Sequence, residues 1–193
     1  MTDGMTTTQT GMPLWARWLV ARWPAAAGII VAVGTVLGIS YGGQLAPVVA
    51  ASGFVYLAAA AIGHRVAAWP AFGLTFVFVG IGFVIDGFNA VLWICGIAAA
   101  LAIFGFIREG WRPAWSLPLQ TAAMLVLAAA ALLSLGSNHL IGGIIISAAL
   151  FAHAGWDVWH HRTGRVVVPS LAEFCGVLDI TAGIGVLVIT LTM

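Results

Sequence analysis

The chain contains no lysine, and only 7% of its 193 residues carry a charge. Without lysine no retinylidene Schiff base can form, which excludes a retinal pigment. Charge this sparse also excludes a soluble domain. With 62% hydrophobic residues and 24 glycines, too little polar surface exists to cover a water-exposed fold. The two cysteines, Cys95 and Cys175, both lie inside apolar segments, so there is no disulfide framework and no cysteine-rich zinc motif. A net charge of +1 says nothing about partners, and no basic run points to nucleic acid. The partner implied is the lipid bilayer, and nothing in the pattern fixes an oligomeric state.

What the chain does have is apolar sequence in lengths that fit a bilayer. Seven segments, 25–43, 45–62, 70–86, 88–107, 118–136, 138–159 and 170–191, each come near the ~20 residues that cross a ~30 Å hydrocarbon layer. Runs rich in Gly, Pro and Asn separate them, among them YGGQ (41–44), DGFN (86–89), REGWRPAW (108–115) and GSN (136–138). All seven arginines, Arg17, Arg22, Arg65, Arg108, Arg112, Arg162 and Arg165, precede the first segment or follow the second, fourth and sixth. That is one side of a seven-span protein, and the positive-inside rule makes it the cytoplasmic side. The expected fold is therefore an all-α, multi-pass protein of the cytoplasmic (inner) membrane with seven transmembrane helices, its N-terminus cytoplasmic and its C-terminus outside. Residues 1–24 divide into a Thr-rich polar tail and an interfacial amphipathic helix on which Trp15, Trp18, Leu19 and Arg22 share a face. Residues 25–193 form a single transmembrane domain. No small-residue cleavage pattern follows the first segment, so it is kept as a span.

Chemistry concentrates in HAGWDVWHH, His153 to His161. On a helix, His153, Asp157 and His160 fall within roughly 60° of arc, with His161 at the edge. The seventh segment answers with Glu173 and Asp179, and Asp179 lies ten residues past Pro169, about 15 Å into the membrane. A carboxylate at that depth costs at least ~2.5 kcal/mol unless it is paired, protonated or facing water. Ala172, Cys175, Gly176, Asp179 and Gly183 share one largely small face, which lets this helix come close to its neighbour. The sixth and seventh segments are thus expected to wall one polar cleft.

Imidazole nitrogen and carboxylate oxygen are the usual ligands of zinc, iron and manganese. The expected site holds one such divalent metal through His153, Asp157 and one of His160 or His161. Glu173, Asp179 or His64, the last at the end of the second segment, completes it. Asp157 or Asp179 serves as general base when not a ligand. This pattern points to a metal-dependent hydrolase or oxygenase acting on a lipid-soluble substrate. Two other readings use the same residues. In one they relay protons or bind an ion in a small transporter or proton-coupled carrier. In the other, the terminal histidines are solvated flank residues, as His64 beside Arg65 can also be.

The run HAGWDVWHHRTGRVVVP followed by CGVLD resembles the signature of an uncharacterised family of small integral membrane proteins from bacteria and fungi. That signature is similar to H-x-G-W-D-x-x-H-H, then a Gly and a Pro, then C-x-x-x-D. It is matched here by His153, Gly155, Trp156, Asp157, His160, His161, Gly164, Pro169, Cys175 and Asp179. The resemblance brings no activity, but it implies that Cys175 and Asp179 belong with the histidine cluster.

Overall fold

The structure, a computed structural model, describes residues 13–111 and 113–192. The expected polar tail and Arg112 lie outside the described residues. Among those described, eight α-helices follow one another without a strand: α1 (Leu14–Ala21), α2 (Trp23–Leu37), α3 (Ala46–Ile62), α4 (Ala68–Val84), α5 (Ala90–Glu109), α6 (Leu117–Leu135), α7 (His139–Thr163) and α8 (Pro169–Thr192). Among the described residues, six stretches are long and apolar enough to cross a membrane: α5 to α8, α3 taken with the helical turn Gly42–Leu45 that leads into it, and α4 taken with the turn Arg65–Ala67 before it. The punctuation residues act as caps. Asn89 and Asn138 accept hydrogen bonds from the Leu92 and Ile141 amides in the first turns of α5 and α7, at 3.1 and 2.9 Å. Gly164 ends α7 in the left-handed conformation, φ 56°, which a side chain would strain.

The first apolar segment differs from expectation. Its helix is only 15 residues long, about 22 Å, because it stops at Leu37 ahead of Gly38, Ser40 and the Gly42–Gly43 pair. α2 nevertheless runs beside and parallel to α8. Arg22, just before it, pairs with Glu173 at 2.9 Å. Gly28 meets the α8 backbone at Phe174 and Leu178, and Val36 meets Gly185. The turn that follows sets Gly42 against Val186 and Thr190. The chain from Trp23 to Gly42 therefore accompanies α8 over most of its length.

α3 is the central helix. Its residues from Ser52 to Ala61 are all buried, and it packs against α4, α5, α6 and, through Tyr56, α7. α7 and α8 form the most extensive helix pair, antiparallel and closed over small residues. Outward faces are apolar: Ile30, Phe76, Trp93, Ile103, Val126 and Ile184 are all exposed. A helix bundle that is greasy outside as well as inside has hydrocarbon, not water, as its solvent. The ends of helices that carry the described arginines lie together, as the Arg22–Glu173 pair, the Arg65–Val167 bond and the Arg165–Trp115 contact show.

Candidate metal centre

Helical periodicity places His153 and Asp157 one turn apart on α7, and Asp179 faces them from α8. One ligand atom from each of these three side chains lies within 4.8 Å of the other two. Ligand atoms held about 2.0–2.2 Å from a common tetrahedral ion lie about 3.5 Å apart, so a change of side-chain rotamer closes the set. Gly176 makes the approach of α8 feasible, since a Cβ there falls 3.3 Å from the Asp157 Cβ.

The three side chains are 0–4% exposed. His153 Nδ1 is 2.7 Å from Asp179 Oδ2 and 3.3 Å from Asp157 Oδ2. Nδ1 is thus the ring nitrogen that faces both carboxylates, and a metal shared with them would take its lone pair. Tyr56, reaching in from α3, donates its hydroxyl to Asp157 Oδ1 at 2.5 Å, and its ring packs edge-on against His153 and His160. Three ligand-capable atoms remain without a hydrogen-bond partner: His153 Nε2, Asp157 Oδ2 and Asp179 Oδ1. Unpartnered polar atoms at this burial cost on the order of 1–3 kcal/mol each. A divalent cation would offset the charge of two ionised carboxylates beside one imidazole while occupying open acceptors.

The remaining candidates lie elsewhere. His160 is buried but turned to α6, where its Nε2 sits 3.2 Å from the Gln120 amide nitrogen while its Nδ1 donates to the Trp156 carbonyl at 3.0 Å. It is two turns beyond His153, about 10.5 Å along the axis, which separates it from the cluster despite the shared face. His161 is exposed and its Nδ1 lies 3.0 Å from the Pro169 carbonyl oxygen. Glu173 is held by Arg22. His64 is exposed in the connection between α3 and α4. Cys175 is buried one turn before Asp179, outside the three-residue group. The open cleft expected between α7 and α8 is closed here, because α3 adds a third wall and the small residues of α8 bring it against α7.

Tyr56 and Gln120 were not among the expected site residues. Tyr56 is one of only two tyrosines and sits within an Ala-rich apolar helix, where its hydroxyl must find a partner. That requirement was the available signal. Gln120 is likewise a fully buried amide near the start of α6, bridging the Trp115 carbonyl at 3.3 Å and His160.

No family model, curated protein or solved structure matches this chain.

Proposed function

We propose that the protein is a multi-pass protein of the cytoplasmic membrane that binds a divalent metal through His153, Asp157 and Asp179 and uses it in a hydrolase or oxygenase reaction on a lipid-soluble substrate. The observation that carries this reading is the convergence of one imidazole and two carboxylates from two helices, all buried, with unpartnered acceptor atoms. Nitrogen and oxygen donors suit zinc, iron or manganese, and the two oxygen-bearing ligands favour the harder ions of that group. Three protein ligands leave coordination positions open, through which a bound ion polarises a substrate oxygen or activates water. Tyr56 fixes Asp157, as outer partners of metal sites do.

A lipid-soluble substrate needs a route from the bilayer. An apolar groove of about 450 Å³ lies between α2 and α4, lined by Val31, Thr35, Phe76 and Val79. A smaller recess sharing these residues is also lined by Leu178 and Ala182, neighbours of Asp179 on α8, while none of the three ligands lines either cavity. The topology belongs to the same proposal. α2, accompanying α8 from Glu173 towards Thr190, counts as a seventh crossing, and the arginine-bearing end faces the cytoplasm.

Elemental analysis of the purified protein beside His153→Ala and Asp157→Ala tests the reading. About one equivalent of metal in the parent, lost in both variants, is expected. Folded protein that holds no metal and takes up none sinks it. A second reading, a proton-coupled carrier, draws on the buried chain of hydrogen bonds that joins Tyr56 to Asp157 and His153 to Asp179. Solute flux in proteoliposomes that persists after all metal is removed would favour the carrier.

A further inference from the structure

A second site stands apart from the metal cluster, at the arginine-bearing end. There a pocket of about 210 Å³ lies among the ends of α3 and α5, the start of α6 and the α7–α8 connection. Arg65, Arg165 and His64 line it together with Trp115, Ser116 and Gly63. The two arginines come from connections a hundred residues apart, and each is held in place. Arg65 Nε donates to the Val167 carbonyl at 3.4 Å, and the Arg165 guanidinium lies over the Trp115 ring, 5.4 Å from its centroid. The Ser116 hydroxyl makes no capping hydrogen bond. It remains able to donate to a ligand.

Charge decides what this pocket accepts. Among the described residues, none lining it is acidic. Glu173 is engaged by Arg22, Asp157 and Asp179 are buried between α7 and α8, Asp86 lies in the connection between α4 and α5, at the opposite end, and Glu109 ends α5 beside Gly110 of the lining. Two helix C-termini and one helix N-terminus contribute roughly half a charge each, so with Glu109 the opposing charge is at most about −1.5 against two full guanidinium charges. Arginine is also the side chain best matched to phosphate oxygens. We infer that this pocket binds a phosphate group, with Arg65 and Arg165 as its ligands and Ser116 as a neutral donor. The phosphate comes from a lipid headgroup or from a soluble phosphate ion. The indole of Trp115, at the rim, is a side chain suited to the headgroup layer. The pocket also adjoins the buried network, since Gln120 joins the Trp115 carbonyl to His160. Its ligand does not depend on a metal at His153.

Isothermal titration of the full chain in neutral detergent tests the assignment. The probes are short-chain phosphatidic acid, short-chain phosphatidylcholine and inorganic phosphate. Phosphatidic acid is expected to bind saturably, at least tenfold more tightly than phosphatidylcholine, and to weaken at least tenfold in the Arg65→Gln, Arg165→Gln double variant. Arg17→Gln on α1 should bind as the parent does. Inorganic phosphate binding as tightly as phosphatidic acid assigns the site to a soluble ion, and much weaker binding assigns it to a lipid. If the double variant does not fold, the single Arg165→Gln variant carries the same comparison. Equal binding of the two lipids, no saturable binding of either phosphate probe, or unchanged affinity in the folded arginine variant overturns the proposal.

Discussion

Among the described residues, Tyr56 supplies the one hydroxyl that reaches Asp157, and the role of that contact can be measured apart from the ligands themselves. Tyr56→Phe keeps the ring against His153 and His160 but leaves Asp157 Oδ1 without its donor. Loss of such an outer partner weakens metal binding by about 10–100-fold. Competition with a chelator should show that loss in a variant that still folds, and unchanged affinity would remove Tyr56 from the site. At this scale much was legible in the sequence. His153 and Asp157 follow from the i, i+4 spacing, and Asp179 from its depth past Pro169. Sequence depth carries no information on what stands opposite. Glu173 is taken by Arg22, 151 residues away, and His160 by Gln120 on α6. Both partners depend on which helices pack together, which periodicity along one helix does not encode.

At the scale of the helix, contact between α2 and α8 depends on glycine. A Cβ on Gly28 falls 2.5 Å from the Phe174 carbonyl oxygen, a backbone atom with little room to give. Gly28→Ala should destabilise the protein by about 1–3 kcal/mol, as overpacking does. Gly34, on the same helix, has nothing within 4 Å of its Cβ position. Unfolding titrations should therefore find Gly34→Ala close to the parent, and equal losses in both variants would contradict this account of the α2–α8 contact. The turn residues were readable because Asn, Gly and Pro act locally: Asn89 and Asn138 cap the helices that follow them, and Gly164 ends α7. The early stop of α2 was less readable. Hydropathy continues through Ile39 to Tyr41, and only Gly38, Ser40 and the glycine pair mark the break.

For the whole molecule, the exposed apolar faces and the gathering of the described arginines at one end give the bundle a membrane orientation. If α2 crosses, the termini lie on opposite sides. A fluorescent protein that matures only in the cytoplasm should then glow when fused to the N-terminus and stay dark when fused after the C-terminus. Two dark fusions would mean six crossings, with α2 held against α8 without traversing the membrane. Composition alone was enough for the membrane class and the all-α fold. The closure of the site was not legible, since it depends on α3 entering between α6 and α7 and bringing Tyr56 onto Asp157.

The most direct test of the metal assignment is X-ray absorption at the edge of whatever metal co-purifies with the protein. The account predicts nitrogen and oxygen neighbours, at about 2.0–2.2 Å for zinc, with one imidazole among them and no sulfur near ~2.3 Å, because Cys175 stands outside the ligand set. The spectrum should change in Asp179→Asn. A sulfur neighbour, or a spectrum indifferent to Asp157, Asp179 and His153 alike, would contradict it.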